Sequence, residues 1–180
     1  MLINQKRHHN KGFTLMETLI YISVLIIITT VLTIFITWTI RANAKIKVEQ
    51  ETLDNARRAT EIMTYEIKEA KSVYTPTSIL DQNPGQLSLE TTHSLPLDEK
   101  ATFLDIYLCG KQICLKRENT QPSAITSDRT SVDKLTFSRV LSNTTEVVQI
   151  NFTLHYDSPG NHPEWQASTT INSTITLKGY

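Results

Sequence analysis

The fold is decided by residues 11–40, which read KGFTLMETLIYISVLIIITTVLTIFITWTI. From Thr18 to Ile40 the chain contains no Asp, Glu, Lys or Arg. A helix over these 23 positions would be about 34 Å long at about 1.5 Å per residue, enough to cross a hydrocarbon core of about 30 Å. The stretch therefore predicts a membrane-spanning helix, with one carboxylate, Glu17, at its start.

The 180 residues allow one membrane span and one smaller domain. Basic residues flank both ends of the apolar run: Lys6, Arg7 and Lys11 before it, and Arg41, Lys45 and Lys47 after it. Counting positive charges therefore gives no orientation. Because a short basic segment before a long apolar run is typical of an export signal or a signal anchor, we expect a cytoplasmic N-terminus and an exported remainder.

These residues leave three outcomes of processing open. A secretory signal would be cut after the small residues ANA at 42–44, although the apolar run exceeds the usual length of about 7–15 residues. A signal anchor would stay uncut, with Glu17 at the membrane edge. The third outcome is cleavage before the run, between Gly12 and Phe13.

The segment KGFTLME at 11–17 resembles the processing motif of type IV prepilins and type II secretion pseudopilins. In that family a membrane-embedded aspartyl peptidase cuts after the glycine on the cytoplasmic side and methylates the new N-terminus. The resemblance implies that residues 1–12 are a leader cut after Gly12, that Phe13 is the methylated N-terminus, and that Glu17 is the fifth mature residue. It also implies three protein partners, namely the prepilin peptidase, the inner-membrane assembly platform and other pilin subunits, and no cofactor.

A carboxylate in an apolar helix is costly unless it is paired. The new amino group of Phe13 on a neighbouring subunit would be a partner for Glu17, and the pair would set the stagger between subunits, as single buried polar groups set register in coiled coils. Many filament-forming pilins carry Gly or Pro in this segment. None occurs between Phe13 and Ile40 here, so no local unwinding is predicted.

Beyond Ile40 the chain becomes charged, but helical spacing continues over residues 41–74. Apolar or small residues recur every seven positions, at Ile46, Leu53, Thr60, Ile67 and Tyr74, with Ala56, Met63 and Ala70 between them. Pro76 disfavours helix at the residue before it, so the helix is expected to end near Tyr74. The stripe fits packing on a domain or, as the alternative, a coiled-coil seam with a partner.

Residues 75–180 carry the signals of β-strands. The predicted strands are GQLSLET, ATFLDIYL, VDKLTFSRV, EVVQINFTLHY and ASTTINSTITLKG. In the fourth, Val148, Ile150, Phe152 and Leu154 alternate with polar residues, as in a half-buried antiparallel strand. The fold class is therefore α+β: a long N-terminal helix, apolar in its first half and amphipathic in its second, packed on a β-rich head, which is also the layout that the pilin resemblance implies.

Cys109 and Cys114 lie in the segment IYLCGKQICLKRE, which reads as a hairpin. A two-residue turn at positions 111–112 would place the cysteines opposite each other, close enough for a disulfide. Free thiols remain the alternative. A metal site is not expected, because no His or Cys stands at ligand spacing from this pair.

Other chemistry is not indicated. His93, His155 and His162 are scattered, and His155 is expected to be exposed on the polar face of its strand. The segment 157–161 could supply oxygen ligands to calcium, but an ordinary turn is the expected structure. No nucleophile elbow, P-loop or dinucleotide-binding motif occurs, so an enzyme is not predicted.

Nucleic acid is an unlikely partner, because residues 75–180 hold eight Lys or Arg against eleven Asp or Glu. A basic strip could form only from Lys116, Arg117, Arg129, Lys134 and Arg139, without aromatic residues among them.

We expect a subunit of a pilus or pseudopilus, held in the inner membrane by residues 13–40 with the head extracytoplasmic until it enters the fibre. The order of segments looks most like a minor pilin or a minor pseudopilin of the J or W type. The alternative is a membrane-anchored extracytoplasmic binding domain that forms no fibre.

Overall fold

A computed structural model describes residues 12–92, 101–142, 145–158, 160 and 162–178. The chain divides into two compact units, Met1–Ala42 and Asn43–Tyr180. Helix α1, Leu15–Glu69, begins in the first unit and ends in the second. The basic leader residues Lys6, Arg7 and Lys11 lie outside the described residues.

In the first unit the helix is exposed along its whole length. Every apolar side chain between Phe13 and Ile40 is accessible to solvent. The seven Ser and Thr hydroxyls between Thr18 and Ile40 each donate a hydrogen bond to a backbone carbonyl three or four residues earlier. These hydroxyls are therefore satisfied within the helix itself.

In the second unit α1 buries one face. Its buried residues follow helical spacing: Val48, Thr52, Asn55, Ala56, Ala59, Met63 and Ile67. The predicted stripe was therefore only partly right, because Ala56, Met63 and Ile67 are buried while Ile46 is 49% exposed. Small residues at Ala56 and Ala59 allow close approach, and this face packs into the core of the unit.

The helix ends earlier than predicted. It stops at Glu69, and Ala70–Val73 forms strand β1, so the expected end near Tyr74 was wrong. Strand β1 pairs with the later strand Gln86–Thr91, and both Ala70 and Val73 are buried. Strand pairing and burial thus outweigh the helical periodicity, which continues through these residues in the sequence.

Two antiparallel sheets complete the second unit within the described residues. The first sheet has the order β1-β2-β3-β4-β5, formed by Ala70–Val73, Gln86–Thr91, Thr102–Cys109, Gln112–Arg117 and Ser123–Ala124. The second has the order β6-β7-β8, formed by Thr130–Ser142, Thr145–Tyr156 and Ser168–Thr176, with a 3-10 turn at Pro163–Trp165. A long apolar helix followed by antiparallel sheets confirms the α+β class.

One hydrophobic core joins the helix and both sheets. The predicted alternation of β7 is confirmed, because Val148, Ile150, Phe152 and Leu154 are all buried. The first sheet contributes the remaining large side chains, mainly Leu87, Leu89, Leu104, Ile106 and Ile113. The head therefore buries a core of its own, although Ile79, Val140 and Leu141 remain exposed.

The β3–β4 hairpin has a different register from the one predicted. Cys109 pairs with Gln112 and Cys114 with Tyr107, so the turn lies at positions 110–111 rather than 111–112. Gly110 has φ +67°, and a two-residue hairpin turn favours glycine with positive φ at its first central position. The cysteines are therefore diagonal rather than opposite, with Cα atoms 5.8 Å apart and a disulfide between them.

Candidate functional site

The candidate processing site precedes the first turn of α1. Gly12 and Phe13 have no regular secondary structure, and the Phe13 side chain is 72% exposed. A Cβ added at Gly12 would meet no atom within 4 Å. Packing within the described chain therefore does not require glycine here.

Glu17 lies in the first turn of the helix, where Thr14 caps the chain. The Glu17 backbone N–H donates to the Thr14 carbonyl at 3.0 Å and to its hydroxyl at 3.3 Å. The Tyr21 hydroxyl donates to the Glu17 carboxylate at 3.3 Å. Among the described residues no cation forms an ion pair with this carboxylate. The side chain that hydrogen-bonds to it there is the neutral Tyr21 hydroxyl.

Tyr21 was missed by the sequence analysis. It follows Glu17 by four positions, the spacing that places two helical side chains on one face. Its ring also packs edge-on against the ring of Phe13, with centroids 6.1 Å apart. Tyr21 thus contacts the two residues that the motif singled out, Phe13 and Glu17, and links them in one cluster.

The apolar part of α1 is the candidate assembly surface. In the described part of the chain, α1 is the one helix long and apolar enough to cross a membrane. None of its most apolar stretch is buried within the chain. This surface therefore needs an apolar environment that the described residues do not provide.

Polar contacts attach the second half of α1 to segments that flank the strands. The buried Asn55 accepts a hydrogen bond from the Ser127 backbone N–H at 2.8 Å and donates to the Glu51 carbonyl at 2.9 Å. Lys178, beyond β8, pairs with Glu69 at 3.1 Å. The sequence analysis missed Asn55, although a lone amide beside Ala56 and Ala59 was a signal for a buried polar contact.

The arginines proposed for a basic strip are paired with acids. Arg117 pairs with Glu66, Arg129 with Glu51 and Arg139 with Glu146. The two lysines are exposed, Lys116 on β4 and Lys134 on β6. The carboxylates offset much of the positive charge that a phosphate backbone would need.

The other predicted positions are dispersed. His155 is half-buried rather than exposed, and its Nδ1 lies 2.8 Å from the Asp133 carboxylate. A hydrogen bond from Lys111 holds the pKa of Asp157 below its usual value. His93 and two residues of the 157–161 segment lie outside the described residues, and the rest contain no cluster of metal-binding side chains.

Comparisons with protein-family models, with curated proteins and with solved structures found no match to this chain.

Proposed function

We propose that this chain is a structural subunit, of minor type, in a type IV pilus or a type II secretion pseudopilus. The observation that carries the proposal is an apolar helix exposed from Phe13 to Ile40, with Glu17 at its start, on a chain whose head buries its own core. Such a subunit catalyses nothing. It packs through the helix and displays the head.

Before assembly, the helix spans the inner membrane with the N-terminus in the cytoplasm and the head outside. The prepilin peptidase cuts after Gly12 and methylates Phe13, and the lack of packing around Gly12 among the described residues supports access of that enzyme. The assembly platform then moves the helix from lipid into the apolar core of the fibre, where other pilin subunits surround it.

Glu17 selects the position of a neighbouring subunit. A charged group inside a membrane costs about 2.5–3.5 kcal/mol or more when unpaired, and Tyr21 supplies only a neutral donor. The amino group of a neighbour's Phe13 offsets this cost by pairing with the carboxylate. The pair forms at one stagger only, because a shift along the helix leaves both charges in an apolar environment.

The first test is the intact mass of the protein purified from its membrane. We expect a chain beginning at Phe13 with one added methyl group. A chain that keeps its leader, or one that begins after Ala44, would contradict the proposal. Either result would favour the alternative, a membrane-anchored extracytoplasmic binding domain that forms no fibre.

The second test replaces Glu17 by Ala and follows incorporation into fibres sheared from cells. We expect incorporation to be lost while cleavage after Gly12 continues. Glu49→Ala is the matched control, because this exposed glutamate lies on the same helix outside the apolar run. Normal incorporation of the Glu17 variant would rule out the pairing mechanism.

A further inference from the structure

Strand β8, Ser168–Thr176, lies at one edge of the second sheet. It pairs with β7 on one side, and no described strand pairs with its other side. Just outside β8, the Tyr156 N–H donates to the Ala167 carbonyl and the Leu177 N–H donates to the Glu146 carbonyl. Because hydrogen-bonded and non-hydrogen-bonded pairs alternate along an antiparallel ladder, the odd-numbered residues of β8 are the ones that bond to β7.

The even-numbered residues of β8 therefore direct their backbone N–H and C=O groups to the free edge. All of them are exposed: Ser168, Thr170, Asn172, Thr174 and Thr176. Within the described part of the chain, no hydrogen bond reaches these outward backbone groups. They form an open row of alternating donors and acceptors, which is the surface that another β-strand pairs with.

The other described sheet edges are protected against such pairing. Strand β6, at the opposite edge of the same sheet, has a bulge between Val132 and Lys134, and its backbone accepts hydrogen bonds from the Gly85 and Asp81 N–H groups. In the first sheet, the edge strands β1 and β5 have only four and two residues. Bulges, covering segments, short strands, charges and prolines are the usual protections of sheet edges. Strand β8 has nine residues with no charge, no proline and a continuous register to β7.

We infer that β8 pairs with β8 of a second copy of this chain, in an antiparallel register centred on Asn172. Thr170 of one copy then lies opposite Thr174 of the other, and Ser168 lies opposite Thr176. All five outward residues of each copy form hydrogen-bonded pairs, which gives ten backbone hydrogen bonds. The two three-stranded sheets become one sheet of six strands. This contact between heads goes beyond the proposed function and does not depend on it.

The sequence of β8 favours a second copy over a different partner. Its outward residues read Ser, Thr, Asn, Thr and Thr, so the row presents nearly the same side chains in both directions. Antiparallel self-pairing therefore sets Thr against Thr or Ser, which stabilises sheets, and sets no charge against a like charge. A two-fold contact of this kind is closed, because each copy uses its single free edge.

The centre of the proposed register carries a side-chain contact that self-pairing would extend. The Asn172 side-chain oxygen accepts a hydrogen bond from the side-chain amide of Asn151 on β7. At the two-fold axis, the Asn172 amide of one copy lies beside the same amide of the other. The four amides of two copies then form one row across the joined sheet, and such rows of Asn stabilise stacked strands.

Introduced cysteines test the register in the full-length chain, purified in a non-ionic detergent. Cys109 and Cys114 are joined to each other, so the introduced thiol is the free one. Asn172→Cys should form a disulfide-linked dimer under mild oxidation, because the Cα atoms of a hydrogen-bonded pair are about 5.5 Å apart. Lys134→Cys, at an exposed position on the opposite edge of the sheet, is the control and should stay monomeric.

A mixing experiment separates this register from any other association of two chains. Thr170→Cys mixed with Thr174→Cys should give at least about fivefold more covalent dimer than either variant alone. In the proposed register, two copies of the same variant hold their thiols about 13 Å apart along the strands, which is too far for a disulfide. Association through the apolar helix would not select the mixed pair.

Charges at the two-fold axis test the contact in the same assay. Asn172→Lys added to both cysteine variants should reduce the mixed dimer by about fivefold, because like charges then lie opposite each other. Asn172→Lys in one variant and Asn172→Glu in the other should restore it. Restoration would show that the loss came from the contact and not from misfolding of the head.

Three results would overturn the inference. In the first, Asn172→Cys forms no more dimer than Lys134→Cys. In the second, Thr170→Cys alone crosslinks as well as the mixture, and in the third, opposite charges fail to restore the mixed dimer. Because the assay uses purified chains, it does not require leader cleavage or fibre assembly, so its failure would leave the pilin proposal in place.

Discussion

The two parts of α1 share one helix but are stabilised in different ways. Between Val48 and Ile67 the helix has seven buried residues, and Ala56, Ala59, Met63 and Ile67 belong to the hydrophobic core of the head. Between Phe13 and Ile40 the helix is at least as apolar as it is between Val48 and Ile67. None of its most apolar stretch is buried within the described chain. The contrast predicts that the head folds on its own contacts, whereas the apolar half needs surroundings outside the described chain.

The largest expected effect comes from separating the two parts. A chain beginning at Asn43 should move from the membrane pellet to the soluble fraction while keeping a cooperative unfolding transition, because the division into units falls there. Carbonate extraction and thermal unfolding measure the two properties. A chain lacking only residues 1–11 is the control and should stay in the pellet. A truncated chain that still pelleted as folded protein would contradict this prediction.

A matched pair of substitutions tests burial on the two halves. Ile67→Ala should lower the free energy of unfolding of the head by about 2–5 kcal/mol, because Ile67 is fully buried and its removal leaves a cavity. Ile34→Ala, at a residue 63% exposed on the same helix, should leave that free energy nearly unchanged. Chemical denaturation in detergent measures both. Equal losses would mean that the apolar half also contributes to folding of the head.

A smaller effect is expected at the polar attachment of the helix. Asn55→Ala removes the acceptor for the Ser127 N–H, and the unsatisfied donor should cost about 1–3 kcal/mol. Asn43→Ala, an exposed position on the same helix, is the control. Asn55→Asp keeps an acceptor oxygen and should recover part of the loss. Denaturant midpoints that did not distinguish Asn55→Ala from Asn43→Ala would show that the contact is dispensable.

The smallest effect is the pH dependence of the head. The hydrogen bond from Lys71, supported by Ser72, lowers the pKa of Glu90. A lowered carboxyl pKa contributes stability that is fully present above the unfolded value of about 4.3 and is lost as the pH falls through the folded value. The denaturation midpoint should therefore decrease on acidification. Both Glu90→Gln and Lys71→Met should make the denaturation midpoint depend less steeply on pH. An unchanged dependence in both variants would mean that Glu90 does not contribute to it.

Much of the fold could be predicted because its signals are local. The apolar run and the alternation around Phe152 are readable within windows of a few residues. The end of α1 was not readable, because Ala70–Val73 becomes a strand only when β2 is beside it. The hairpin turn was misplaced by one position, because the conformational freedom of Gly110 outweighs the polar pair that follows it.

The candidate site also combines residues that local sequence patterns indicate with residues that they do not. Glu17 and Phe13 stand in a short contiguous motif, and Tyr21 could have been found from its helical spacing to Glu17. The contact between Asn55 and Ser127 joins residues 72 positions apart. This contact was therefore not accessible from local patterns.

The hydroxyls of the apolar helix have a consequence for its transfer between environments. The hydroxyls of Thr29, Thr30 and Thr33 donate to carbonyls of the preceding turn. Hydroxyls bonded in this way need no hydrogen-bond partner outside the helix. In the proposed assembly, moving this helix from a bilayer into a fibre would leave these hydrogen bonds in place and would change mainly its apolar neighbours.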